Sequence, residues 1–183
     1  ELLQLAQARL GAGLTGFEVM NALSLELVRK HFAALRQPLA PAPWTVLLEQ
    51  SDAEGESHGA AALEALLSTA LERGLIDDTA IATSVEQANA MWHLRESITL
   101  AQAEEGPNIK HDISLPVSAI RDFVASTDAA LQRALPGIRL VNFGHLGDGN
   151  LHYNIQAPEG DDAVEFLRHE AEVNRVVYDA VDA

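Results

Sequence analysis

The side chains best placed to do chemistry lie in one stretch, Gly144-His145-Leu146-Gly147-Asp148-Gly149-Asn150-Leu151-His152-Tyr153-Asn154. Asp148-Gly149 carries the signal of a two-residue hairpin turn, because a type I′ turn needs positive φ at both central positions and Asp and Gly tolerate it. A turn there sets Gly147 against Asn150, Leu146 against Leu151 and His145 against His152. Directly opposed residues share a sheet face with Cβ atoms roughly 4.5–5.5 Å apart, close enough for two imidazoles to hold one metal ion. Asn154, two residues beyond His152, points to the same face, while Leu151, Tyr153 and Ile155 point to the other. Two strand histidines are ordinarily exposed or hydrogen-bonded residues without a ligand; here the glycine-rich turn between them and the Asn beyond favour a site. Two ligands still fall short of zinc, which takes three protein ligands and an open position when catalytic. A third must come from elsewhere, since Asp148 reads as a turn former.

The elements that must hold this hairpin follow from periodicity. Helices are predicted near Leu2 to Leu10, Leu23 to Leu35, Gly59 to Arg73, Glu86 to Glu105, Ser118 to Leu135 and Ala163 to Asp182. Strands fit Leu14 to Met20, Thr45 to Gln50, Thr79 to Thr83, Ile109 to Pro116, Ile138 to Phe143 and Leu151 to Gln156. Gln37 to Pro43, with three prolines, is a surface connection. The alternation predicts one α+β domain over residues 1–183: a ferredoxin-like sandwich, duplicated or not, with a largely antiparallel sheet and helices on one face. A strictly parallel doubly wound sheet is the alternative, disfavoured by the tight hairpin.

Composition narrows the function classes. A 48% hydrophobic content supports a real core, and 12 Lys and Arg against 27 Asp and Glu give a formal net charge of -15. That field opposes phosphate backbones and anionic lipid, although a few cations in a pocket can still hold a small anionic substrate. Cysteine is absent, so disulfides, thiolate metal sites and a thiol nucleophile are excluded. With no apolar run of membrane-spanning length and no secretory leader in the sequence, a soluble, cytoplasmic protein is expected. Both ends read as cut: Glu1 opens inside a helix without an initiator Met, and the periodic stretch Phe166 to Ala183 closes without a Gly or Asn stop signal.

Two further motifs stand in order before the hairpin. Met91-Trp92-His93-Leu94-Arg95-Glu96 lies in a predicted helix, and Asn108 to Ser118 reads NIKHDISLPVS. Together with GHLGDGNLHYN, these resemble the Trp-x-x-Arg-Glu helix, the Lys-x-Asp-Ile/Val-x-x-Pro motif and the histidine signature of the C-terminal domain of FAD-linked oxidases. That family holds D-lactate dehydrogenases, D-2-hydroxyglutarate dehydrogenases and glycolate oxidase subunits, and the resemblance covers essentially the whole chain. In the family a Glu-His-Gly motif follows soon after the last helix read here, and this chain ends before reaching it.

The resemblance implies a divalent metal, zinc foremost, held by His145 and His152 together with the missing Glu; the catalytic base, a His, is expected downstream of Ala183. It implies substrate contacts from Arg95, Thr99, Lys110 and Asn154. Spacing agrees with the transfer: Arg95 and Thr99 share a helix face, and Lys110, Asp112 and Ser114 alternate with His111, Ile113 and Leu115. Asp112 reads as structural, capping or pairing near Lys110. His31, His58, His93 and His169 read as surface residues and His111 as one on the packed face, while Trp44 and Trp92 read as core or sheet-edge packing. No GxGxxG or Walker loop appears, so FAD is expected to be bound mainly by a missing N-terminal domain. The expected function is binding of substrate and metal in an FAD-dependent oxidation of a D-2-hydroxy acid to a 2-oxo acid, the isolated fragment being inactive. Implied partners are the FAD domain and an electron acceptor such as a flavoprotein or quinone, with a homodimer among the open assemblies. The sequence also leaves open a metal-dependent hydrolase, against which the lack of an HxxE-type ligand argues, and a non-catalytic small-molecule-binding ferredoxin-like domain.

Overall fold

The computed structural model describes residues 1–52 and 55–183, without the Glu56 side chain. Along the chain come α1 (Leu2–Leu10), a 3-10 turn (Gly11–Gly13), β1 (Leu14–Asn21), α2 (Ala22–His31), β2 (Trp44–Gln50), α3 (Glu56–Glu72), α4 (Val85–Glu104) and β3 (Asn108–Ser114). There follow α5 (Val117–Ala134), β4 (Arg139–His145), β5 (Asn150–Gln156), α6 (Ala163–Phe166), a second 3-10 turn (Leu167–His169) and α7 (Glu170–Val181). The strands form one five-stranded sheet of order β2-β1-β4-β5-β3, and every pairing is antiparallel. This is the α+β class expected from the alternation of periods. The run β3-α5-β4-β5-α7 carries the first five elements of the ferredoxin-like β-α-β-β-α-β order. The first half of the chain does not repeat that order, so the sheet is not a duplication.

The prediction that helices cover one face is corrected by the core. Ile113, Leu151, Tyr153 and Ile155 pack under α5 and α7 through Ile120, Phe123, Val173 and Val177, and on the same side Phe17 and Val19 meet α1 and α3. Met20, Val141 and Phe143, which alternate to the other side, pack under α2 and α4 through Leu27, Val28, Leu94 and Ile98. The reason is that β1 and β4 carry apolar side chains on both faces, Phe17 and Val19 on one and Met20, Val141 and Phe143 on the other, and each face needs a cover. Toward β5 and β3 the α4 side becomes polar, with Lys110 and Asp112 exposed. The site stands at the border between the α4-covered part, where Glu18, Arg95 and Asn154 are buried, and this exposed part.

Local signals set the ends of the covering helices. Asn21 caps α2 by accepting from the Ser24 amide at 3.0 Å, and Ser84 caps α4 by accepting from the Gln87 amide at 3.2 Å. Along α4 the buried positions Leu94, Ser97, Ile98 and Ala101 make the inward stripe. The predicted strand Thr79 to Thr83 does not form. Its amides at Thr79 and Thr83 are taken by the side chains of Asp78 and Gln87 at 2.8 and 2.7 Å, which removes them from any ladder. Among the described residues no helix is long and apolar enough to cross a membrane.

Candidate functional site

Register across four strands assembles the polar cluster. Glu18 pairs with His145, Phe143 with His152, and Asp112 with His152 and Lys110 with Asn154. Opposed residues share a face, so all of these side chains stand on the α4 side of the sheet. The hairpin differs from the predicted one by two residues of register. His145 does not face His152, and the loop spans 146–149, closed by Asp148 N–H to His145 O and Gly149 N–H to Leu146 O, both at 3.3 Å. A type I′ turn would need positive φ at Asp148, and no non-glycine residue among those described adopts it. Asp148 instead accepts from the Asn150 amide at 3.0 Å, which makes it the turn former expected of it. A shift of two preserves side-chain parity. The imidazoles therefore remain on one face as diagonal neighbours, their ring centres 6.4 Å apart.

Two glycines allow this packing. Gly149 has φ 81°, and a Cβ there would lie 2.1 Å from the Leu115 carbonyl oxygen. At Gly144 a Cβ would lie 2.5 Å from the Asn150 oxygen, so the base of the hairpin closes only around hydrogen.

Each histidine meets a carboxylate through Nδ1. His145 Nδ1 donates to Glu18 Oε1, and His152 Nδ1 lies 3.4 Å from Asp112 Oδ1. A carboxylate on Nδ1 selects the tautomer that leaves the Nε2 lone pair free for a ligand. Burial pushes the His152 imidazole below its ordinary value; the Asp112 carboxylate opposes this, and the charges of Arg95 and His145 add to it. His152 is thus neutral at pH 7, the form that binds metal. The side chains of His145 and His152 are 52% and 31% exposed, enough for a ligand to reach both. Among the described residues no group of three or more His, Cys, Asp or Glu gathers into a complete metal site. The pair could offer two ligands, and a metal there would need further ones from outside the described residues.

The predicted substrate residues fall into two groups. Arg95 is buried, its Nε donating to Glu18 Oε2 at 2.7 Å and its guanidinium carbon lying 4.8 Å over the Phe143 ring. It is therefore joined to His145 through one carboxylate rather than to neighbours such as Glu96. Lys110 is exposed on the edge strand β3. Asp112 does not pair with it; it accepts from Asn150 Nδ2 at 2.7 Å. Thr99 is exposed on α4 and makes no hydrogen bond to the cluster among the described residues. Asn154 is on the right face but only 5% exposed. Its amide is occupied, accepting from the His111 N–H at 3.3 Å and donating to Gln102 Oε1 at 3.0 Å. A cavity of about 430 Å³ lies around β2, the 37–42 connection and Trp92, away from the histidines, whereas one of about 340 Å³ reaches Glu18 and His145 from the α1 side.

The chain matches the family described as FAD linked oxidases, C-terminal domain, over residues 2–183. The chain belongs to that family. It is 36% identical over 162 residues to D-2-hydroxyglutarate dehydrogenase, mitochondrial, of Arabidopsis thaliana, covering 88% of this chain and 28% of that protein. The protein of the same name from Danio rerio is 35% identical over 163 residues, 88% of this chain and 30% of its own length. D-2-hydroxyglutarate dehydrogenase of Xanthomonas citri pv. viticola is 37% identical over 177 residues, 96% of this chain and 36% of its own length. The chain thus spans about a third of the length of the relatives it matches. The matched family is that of FAD-linked oxidases, and the relatives named here are dehydrogenases. Within the domain, Glu18 and Gln102 are the site residues that sequence reasoning missed. Glu18 lies in a strand that reads as apolar, and only its pairing with His145, far along the chain, gives it a role.

Proposed function

We propose that this domain supplies the substrate-binding wall of the active site in an FAD-dependent dehydrogenase that oxidises a D-2-hydroxy acid, preferentially a dicarboxylic one, to the 2-oxo acid. The observation that carries the reading is the placement of two cations, Arg95 and Lys110, on the sheet face that holds His145 and His152. Charge-assisted bonds from Arg95 and Lys110 to the two carboxylates of a D-2-hydroxyglutarate- or D-malate-like substrate fix its orientation. His145 and His152 offer Nε2 toward the 2-hydroxyl between them. A divalent metal there, zinc foremost, completed by ligands from elsewhere in the intact enzyme, would lower the pKa of that hydroxyl. The α4 helix and the Phe143 ring under Arg95 keep water from the back of the site. Thr99 and Asn154 lie at its margins, Asn154 acting through its hold on Gln102 and the β3 backbone. FAD, bound mainly by the rest of the protein, provides the hydride acceptor, and a residue outside this chain removes the proton. The names of the relatives support the same substrate class.

Anaerobic mixing of the intact flavoprotein with D-2-hydroxyglutarate, D-malate and D-lactate tests this, read as bleaching of the flavin absorbance. Bleaching should be fastest with a dicarboxylate. Lys110→Met should lower kcat/KM for that substrate by roughly one to two decades, the value of a charged hydrogen bond, and leave D-lactate nearly unaffected. Equal losses on both would remove Lys110 as the reader of the second carboxylate, and no bleaching by any of the three would remove the assignment.

A further inference from the structure

We infer that Glu18 is a positioning residue that aims the substrate-binding arginine and the metal-binding histidine with a single carboxylate; the inference rests on the function proposed for Arg95 and His145. Glu18 is 1% exposed. Its Oε2 accepts from Arg95 Nε at 2.7 Å and its Oε1 from His145 Nδ1. A carboxylate this buried is tolerated only with charged or hydrogen-bonded partners, and among the described residues it is the acid with which Arg95 pairs.

The choice of donor atoms is what gives the contact a functional direction. Because Arg95 spends Nε on Glu18, its two terminal amino groups stay free to form an end-on fork for a substrate carboxylate. Because His145 spends Nδ1, its Nε2 keeps the lone pair that a metal requires. A shared anchor also fixes the separation of the two half-sites, since β1 and β4 are held in register at this pair. Glutamine at this position has one acceptor and one donor where Glu18 has two acceptors. Its NH2 group would then face either the Arg95 N–H or His145 Nδ1, and in the second case would reverse the tautomer.

The test uses the intact flavoprotein and two readouts: zinc affinity by competition with a chromophoric chelator, and KM and kcat with D-2-hydroxyglutarate. Glu18→Gln should weaken zinc binding by about 10- to 100-fold, the usual effect of removing a ligand's hydrogen-bond partner, and raise KM. A lower melting temperature with zinc affinity and KM both unchanged would make Glu18 a structural ion-pair residue and overturn the inference. If Glu18→Gln does not fold, Glu18→Asp enters the same assays with the same expected direction, because the shorter arm cannot reach both partners. His145→Ala and Arg95→Met separate the two levels of argument. If these leave zinc affinity and KM unchanged, the proposed function fails; if they shift them while the Glu18 variants do not, the positioning role alone fails.

Discussion

His152 is held between the Phe143 ring, 4.8 Å away between centres, and Asp112 on the neighbouring strand. Burial lowers its basicity against the opposing charge of Asp112, and the two neighbours fix the ring, so a bound metal would meet it already oriented. His152→Ala should therefore weaken zinc binding in the intact enzyme by more than Glu18→Gln does, because it removes a ligand rather than a ligand's partner. Chelator competition on both variants decides the order, and equal zinc affinity for His152→Ala and wild type would exclude His152 as a ligand. At this scale the histidines were legible because their spacing around a glycine-rich turn is local. The residues that orient them were not: Glu18 comes from β1 and Arg95 from α4, and no short-range pattern announces a partner that only tertiary pairing supplies. Asn154 was found by its parity with His152, but parity could not show that its amide is spent on Gln102 and His111.

Elements are tied together by a second acidic centre remote from the histidines. Glu105, at the end of α4, accepts from Lys30 at 2.6 Å and from His31 and Arg139 at 2.5 Å each, so it joins α2, α4 and β4. Burial alone would raise its pKa, but hydrogen bonds from Lys30, Arg139 and His31 with the charge of Arg139 outweigh it and hold the value at about 2, from 4.5. A depressed folded pKa means stability that is complete above 4.5 and is lost as pH falls from there through about 2. The shift corresponds to roughly 3 kcal/mol, which the exposed Lys30 arm trims to about 2. In urea unfolding at pH 7, Glu105→Gln should cost about 2 kcal/mol, and its deficit against wild type should shrink as pH drops below 4.5. A deficit identical at pH 7 and pH 3 would show that the charge is not its source. The helices and five of the six predicted strands lie close to where periodicity put them. The failures share a cause. Thr79 to Thr83 alternates like a strand, but capping side chains consume its amides, and the hairpin register turns on the sign of φ at Asp148. The second helical layer was hidden because an apolar residue at Val141 or Met20 does not announce which helix will cover it.

For the whole molecule, the distribution of chemistry between this domain and the rest of the protein decides what the chain can do alone. Its face presents two imidazoles, a buried guanidinium and an exposed ammonium within an acidic domain of net charge -15. In the proposed function these groups bind and orient, and none of them accepts a hydride. The sequence contains no glycine-rich phosphate cradle for a dinucleotide. Among the described residues no group of three metal-capable side chains gathers, where a catalytic zinc would take three protein ligands. Residues 1–183 produced alone should accordingly show no oxidation of D-2-hydroxyglutarate with a dye acceptor above a protein-free blank, even with FAD and zinc added. Mixing with a separately produced flavin-binding part of the proposed enzyme should restore turnover, since Lys110, His145 and His152 are accessible on this face for it to close against. Sustained turnover by residues 1–183 alone would mean that the hydride acceptor and the base are held here, and the division of labour argued from this face would be wrong.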